Sequence, residues 1–243
     1  MSDQNISLEK AEQALGQISA GHILDVATGN GGFITYLLNN IKDFTEITAI
    51  DLNERPLKTA RKAFTQDNIQ FLCMDAAHCD FPEANFDSVC IANSLHHMGN
   101  LPLVLTEMLR VCKPGGHVII SEMYRDDQTE TQLTHVYLHH WWAAVDRLEG
   151  ITHNETYTRQ EIIDIAGKMG LHAAEHYDLR DLDSDPKDEK LIQQLDSIID
   201  HYLQRAKGLH SETGLLKIGE RLRQRIHEVG FHGATNLLIM GKK

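Results

Sequence analysis

The chain has 243 residues, 42% of them hydrophobic and 24% charged, which suits one sizeable α/β domain carrying an appendage. A formal net charge of −12 at pH 7 and a pI near 5.6 leave no general basic surface, so nucleic acid and anionic membranes are not expected as partners. No stretch approaches the roughly 18 apolar residues of a membrane span. The opening MSDQNISLEKAEQALGQ lacks a basic segment followed by an apolar run, and a soluble cytoplasmic protein is expected. Cys73, Cys79, Cys90 and Cys112 show no C-x-x-C spacing, which predicts neither a disulfide framework nor a cysteine zinc site.

In chain order, Ile6, Leu8, Ala11, Ala14, Leu15 and Ile18 fall mostly at three- and four-residue steps and predict a leading amphipathic helix that ends near Gly21. Short apolar runs follow at 22–27, 46–51, 69–74, 87–92 and 117–123, with helical patterns in the first, second and fourth intervals. This alternation predicts a parallel sheet with right-handed crossovers. The third connection, DAAHCDFPEAN, reads as a loop, and KPGGH is expected to separate the helix at Leu103 to Cys112 from the fifth strand.

Beyond Met123 the segment 130–148 predicts a helix with an apolar stripe at Leu133, Tyr137, Trp141, Ala144 and Leu148. Thr158 and Glu161 have the spacing of a capping box for the next helix, which runs to about Met169. LHAAEHYDL then reads as a strand. Asp185-Pro186 predicts a helix start, and two amphipathic helices, about 186–206 and 212–229, precede a closing strand in ATNLLIMG. Leu191, Leu195, Ile198 and Tyr202 are expected to face Leu215, Leu222, Ile226 and Val229. The organisation expected is one domain over 1–243, with a core at about 20–125, a helical lid at about 126–157 and a helical insertion at about 180–232, which would serve as a lid or as a homodimer contact.

In a doubly wound sheet, ligands bind beyond the carboxyl ends of the strands. Here those ends are polar. The first opens into Ala27-Thr28-Gly29-Asn30-Gly31-Gly32, small residues that let backbone N–H groups face a ligand. The stretch fails the dinucleotide pattern G-x-G-x-x-G, because aligned on Gly29 and Gly31 the last glycine position holds Ile34. A purely structural turn is the competing explanation. The second strand ends at Asp51, whose carboxylate has the acceptors for both hydroxyls of a ribose. The third ends at Asp75, suited to an exocyclic amine such as adenine N6, and the fourth at Asn93, beside Ser94 and the pair His96-His97. Asp and Asn also favour loop starts for local reasons; together these residues outline a nucleoside-shaped slot.

The stretches LDVATGNGG, AIDLNERPLKTAR, FLCMDAAHCDFPEANFDSV, IANSLHHM and LRVCKPGGHVIISE, in that order over about residues 20 to 125, resemble the class I S-adenosylmethionine-dependent methyltransferases, in particular the small-molecule branch that includes the ubiquinone/menaquinone biosynthesis C-methyltransferases. The resemblance implies a Rossmann-like, doubly wound seven-stranded sheet, mostly parallel with an antiparallel last strand. It implies S-adenosyl-L-methionine as cofactor, with the Asp25 to Gly31 loop, including Ala27 and Gly29, on the methionine part, Asp51 and the adjoining Leu52 at the ribose, Asp75 with Ala76 at the adenine, and Asn93 near the sulfonium. Ala27 is a departure, because many members have glycine there.

A sulfonium methyl is already electrophilic, so the protein must chiefly align an acceptor for in-line displacement and exclude water. Where an acceptor proton must leave, His97 is the candidate base; His96, His97, Tyr124, His139 and Trp142 are the substrate-side candidates. His135 and His139, four apart on one helix face, are candidate metal ligands, but the set is incomplete and no metal is expected from it. Arg221, Arg223 and Arg225 have the charge to attract an anion, although such residues usually face solvent. The expected function is methyl transfer to a small molecule. The rivals are an NAD-dependent oxidoreductase, which the missing glycine disfavours, and a non-catalytic cofactor-binding module.

Overall fold

The computed structural model describes residues 3–209 and 212–243. The Ile6 side chain, counted above with the leading helix, lies outside the described residues. The elements in chain order are α1 (Asp3–Leu15), β1 (His22–Val26), α2 (Gly32–Asn40), β2 (Glu46–Asp51), α3 (Glu54–Ala63), β3 (Ile69–Cys73), β4 (Phe86–Ala92), a 3-10 turn (Leu95–His97) and α4 (Leu101–Val111). They continue with β5 (Cys112–Met123), α5 (Glu130–Leu148), α6 (Arg159–Gly167), β6 (His172–Leu179), α7 (Glu189–Ala206), α8 (Glu212–Glu228) and β7 (Asn236–Lys242). Contacts divide the chain into two compact units: Met1–Glu122 with Glu161–Leu179 and Leu237–Lys243, and Met123–Gln160 with Arg180–Asn236. The segments expected as lid and insertion thus fall together in the second unit.

In the first unit the sheet order is β3-β2-β1-β4-β5-β7-β6, mostly parallel with an antiparallel last strand. The central strands β1, β2 and β4 are buried almost without a break, as expected for strands with helices on both faces. The edge strand β3 alternates and β6 is exposed or half-buried along its whole length. Ala11 and Leu15 of α1, Ile34 of α2, Leu57 of α3, Ile23 of β1 and Leu238 of β7 close one core. Each such aliphatic side chain contributes about 1.5–3 kcal/mol by leaving water.

Local chemistry sets the helix starts that matter for the strand ends. Asn53 caps α3 by accepting from Arg55 N at 3.0 Å, and Asn100 caps α4 by accepting from Leu103 N at 3.3 Å. The KPGGH stretch differs from expectation: β5 already begins at Cys112. Cys112 pairs with Phe86, the register shifts before Ser88, and Lys243 bonds Gly115 and Gly116. Pairing on both sides therefore keeps the glycines in the sheet.

The second unit is a three-helix cluster. Leu138, Trp141 and Val145 of α5 pack with Ile199 and Leu203 of α7 and Ile226 of α8, and Trp141 Nε1 donates to the Leu215 carbonyl at 3.0 Å. Two stripes shift from those expected. On α5, Tyr137 and Leu148 are exposed; on α7 the buried positions are Ile192, Leu195, Ile199 and Leu203, while Ile198 is exposed. Both helices are apolar over more than one narrow stripe, and the tertiary contact selects the face. Helix α7 starts one turn later than Asp185-Pro186, because Asp188 caps it through Leu191 N at 2.9 Å. Arg223 pairs with Asp196, Asp200 and Glu220, and Arg225 pairs with Glu130, so these two cations are neutralised inside the unit.

Candidate functional site

The parallel register brings the carboxyl ends of β1 to β5 to one edge of the first unit. Val26 lies opposite Ile50 and Ile91, Asp51 opposite Cys73, and Ala92 opposite Ser121. The next residues along each strand are therefore Ala27, Leu52, Met74, Asn93 and Glu122. Two of these, Ala27 (φ 55°) and Asn93 (φ 46°), sit in the left-handed region although neither is glycine. Such conformations cost of order 1–3 kcal/mol and cluster where a backbone is held for function.

The glycine turn is tied to the second strand by one carboxylate. Asp51 Oδ2 accepts from Gly29 N at 2.9 Å, and Oδ1 accepts from Asn53 N at 2.8 Å. Two oxygens offer about four lone-pair directions, so acceptors remain for further donors. Gly29 has φ 56° and nothing within 4 Å of where a Cβ would stand. Gly31, with φ 86°, caps α2 and approaches Phe64 so closely that a Cβ would lie 2.4 Å from its ring. Asp75, exposed, accepts from Ala77 N at 2.9 Å, and Ala76 is half-buried. Leu52 is 72% exposed, a large apolar side chain beside Asp51.

Asp25, on β1 two residues before Ala27, is 1% exposed. Burial pushes its carboxyl up to about 6; Thr28 and Cys90 favour the charged form and oppose that rise, while the nearby Asp51 adds to it. Cys90 Sγ lies 3.3 Å from Oδ1, whereas Oδ2 and the Thr28 hydroxyl, both buried, stop short of a full hydrogen bond.

The fourth strand end is organised by a residue that sequence reasoning missed. Glu122, fully buried at the end of β5, accepts from Ser94 N at 3.0 Å and Leu95 N at 2.8 Å through Oε2, and Oε1 lies 2.6 Å from His96 Nδ1. His96 is therefore buried against Glu122, and His97 is the exposed member of the pair. The available signal was an acidic residue closing the apolar run HVIISEM.

The remaining candidates lie in the second unit. Tyr124 is buried, with its N–H on the Thr235 carbonyl at 3.2 Å, and Trp142 stacks on Tyr202 at 5.8 Å. His135 accepts from Ala234 N at 2.9 Å, and burial pushes its pKa down to about 4. Its ring centre is 6.3 Å from that of His139. The nearer neighbour of His139 is His153, with Nε2 to Nε2 at 3.4 Å.

An α/β sheet of this strand order, whose neighbouring strand ends carry a glycine turn, acidic groups and an exposed apolar side chain, is a Rossmann-like fold. Residues 24–120 match the family model described as a methyltransferase domain, and over that stretch the chain is similar to class I S-adenosylmethionine-dependent methyltransferases. S-adenosylmethionine is the cofactor of that class. The chain is 30% identical over 118 residues to a fatty-acid O-methyltransferase of Mycolicibacterium smegmatis, covering 49% of this chain and 43% of that protein. It is 32% identical over 108 residues to the ubiquinone/menaquinone biosynthesis C-methyltransferase UbiE of Pseudomonas putida, covering 43% and 42%. The matched stretch thus spans less than half the length of either relative. A putative methyltransferase from Bacillus halodurans shares the fold, with a TM-score of 0.59 at 16% identity over 100% of this chain and 99% of that one. Among the described residues, no helix is long and apolar enough to cross a membrane, and all four cysteines are free.

The strand ends fit an adenosyl group by their own chemistry. They offer a carboxylate with spare acceptors at Asp51, open space above Gly29, an apolar surface at Leu52 and a buried, incompletely bonded carboxyl at Asp25.

Proposed function

We propose that this chain transfers the methyl group of S-adenosylmethionine to a small-molecule acceptor by in-line displacement. The observation that carries this reading is the Gly29 N to Asp51 Oδ2 bond, which sets the second-strand carboxylate against the glycine turn. The cofactor supplies an electrophilic methyl on a sulfonium. Asp51 accepts from the ribose hydroxyls, Leu52 offers the nucleoside an apolar surface, and Asp75 with Ala76 takes the adenine. The turn from Ala27 to Gly31 and Asp25 below it hold the methionine part, with Asn93 at the sulfonium end. His97 takes the acceptor's proton where one must leave. The small-molecule acceptor is supported by the relatives, which are named for a fatty acid and for ubiquinone and menaquinone biosynthesis.

Thermal melting with adenosylhomocysteine tests the cofactor. At 100 times its dissociation constant a native-state ligand adds about 2.7 kcal/mol, so the midpoint rises, and NADH leaves it unchanged. A shift with NADH alone would reverse the assignment. Asp51→Ala is expected to weaken adenosylhomocysteine by about 1.5–3 kcal/mol, because its donors lose a charged acceptor; unchanged affinity in calorimetry would remove Asp51 from the site.

The two turn glycines separate binding from folding. Gly31→Ala drives a Cβ into Phe64 at a left-handed position and is expected to cost about 1–3 kcal/mol of stability. Gly29→Ala meets no protein atom and should cost only the backbone term of about 1–2 kcal/mol, yet weaken adenosylhomocysteine more than about tenfold, roughly 1.4 kcal/mol. Retained affinity in Gly29→Ala would mean that the open space is not the cofactor's. Production of adenosylhomocysteine with a panel of lipid, quinol and amine acceptors tests the transfer itself; no product from any acceptor, with cofactor binding intact, would favour a binding module.

A further inference from the structure

Within the second unit, a polar group is built into helical and loop packing that the proposed methyl transfer does not use. His139 on α5 is 9% exposed and His153, in the loop after that helix, is 4% exposed. Their Nε2 atoms face each other at 3.4 Å with rings at 80°. For an N–H···N bond this is long. Around a tetrahedral zinc with nitrogen ligands at 2.0–2.1 Å, the edge between two nitrogens is about 3.3–3.4 Å. The observed separation is that edge.

The second nitrogen of His153 completes the pattern. Its Nδ1 lies 2.6 Å from Asp146 Oδ2, so Nδ1–H donates to the carboxylate and Nε2 is the ring nitrogen that faces His139. Asp146 is itself fixed, its Oδ1 accepting from Arg205 Nη2 at 2.5 Å, and Arg205 also pairs with Glu149. The loop is pinned by Arg147, which donates to the His153 carbonyl at 2.8 Å, and by His140, whose Nε2 is 2.9 Å from Thr156 Oγ1. A carboxylate behind an imidazole is the arrangement that orients metal-bound histidines and raises their basicity.

We infer that His139 and His153 form a two-imidazole site for a divalent cation of the zinc class, with Asp146 and Arg205 as its positioning residues and with water or a ligand heteroatom completing the shell. Imidazole donors favour zinc, cobalt, nickel and copper over magnesium or calcium. The pairing differs from the His135/His139 candidates of the sequence: His135 is spent on the Ala234 N–H, and the partner of His139 comes from the loop.

Cobalt(II) is the probe, because tetrahedral coordination gives it a visible absorption band. Chelator-stripped full-length protein titrated with cobalt should develop a saturable band of tetrahedral intensity that zinc displaces. His139→Ala and His153→Ala should each weaken binding at least about tenfold, and Asp146→Asn should weaken it about 10–100-fold through the ring it orients. His227→Ala, at an exposed histidine of the same unit, should change nothing. No band at about 1 mM cobalt, where even a weak site fills, or a band that survives the double variant, would overturn the site, as would dependence on only one of the two histidines. If an alanine variant fails to fold by circular dichroism, X-ray absorption on the wild-type zinc complex replaces it; two imidazole nitrogens at bonding distance support the site and their absence rejects it.

Discussion

Asp25→Asn is expected to stabilise the chain at pH 7 by about 1–3 kcal/mol while weakening adenosylhomocysteine. The wild-type carboxyl is buried, and burial raises it from 3.8 to about 6. Two units correspond to about 3 kcal/mol, and an amide that must itself find partners recovers only part of that. The direction with pH follows from proton counts. Between about pH 4 and 6 the folded chain holds this proton more firmly than the unfolded chain, so the group's effect on stability is most favourable below pH 4 and declines as pH rises to 6. The advantage of the asparagine variant is therefore absent near pH 4 and full above pH 6. Urea denaturation at several pH values reads it, and a pH-independent difference would mean that Asp25 titrates alike in the folded and unfolded chain.

Cofactor affinity should move the other way. In the proposed site the ionised carboxyl stands below the loop that holds the cationic methionine part, so wild-type affinity should fall by up to about tenfold per pH unit below 6. The asparagine variant should be weak and pH-independent over the same range. A group that destabilises the empty chain and strengthens the loaded one is the signature of function taken at the expense of stability. Calorimetry on the two proteins at pH 5 and 7 checks the pair of slopes.

Glu122→Ala is expected to cost about 3–5 kcal/mol, the largest loss of any single substitution considered. It removes a fully buried side chain that satisfies Ser94 N, Leu95 N and His96 Nδ1 together. Leaving buried donors unsatisfied costs about 1–3 kcal/mol each in part, and breaking a buried pair falls in the same range as the total. Glu122→Gln separates shape from chemistry. Its single acceptor oxygen still serves the backbone amides, while its NH2 faces His96 Nδ1 and requires that nitrogen to accept. Stability should largely return, and nitrogen NMR should report the opposite His96 tautomer. An alanine variant as stable as wild type would mean that the fourth strand end is held by other contacts.

The strand ends were legible because local residue chemistry and global topology agree there. A β-run followed by small residues, then a run ending in Asp51 and another ending near Asp75, places polar groups on one sheet edge in any parallel register. The parallel register sets Ala27, Leu52 and Asn93 one step beyond the paired ends of their strands. Asp25 was legible as a residue at the end of β1 but not as a carboxyl whose titration is raised, because that rise comes from its burial in the tertiary structure, with Asp51 adding to it. Glu122 was hidden inside the strand pattern. Its partners lie on the turn after β4, and only the β4–β5 pairing brings them together.

The helical segments show the opposite balance. Amphipathic periodicity located α5, α7 and α8, yet placed their faces wrongly at Tyr137, Leu148 and Ile198. The apolar arcs of α5 and α7 are wider than the stripes read from sequence, so intrinsic pattern leaves the exact rotation open and packing among the three helices fixes it. Four-residue spacing puts His135 and His139 on one helix face, whereas a loop returning to the helix brings His153 closer to His139 than His135 is. The sequence by itself determined the alternation of strands and helices and the polar residues crowning the strands, because period and strand polarity are local properties. Only the tertiary structure decided which helix faces are buried, which carboxyl has its titration raised and which histidines meet, because each depends on groups far apart in the chain sharing one low-dielectric space.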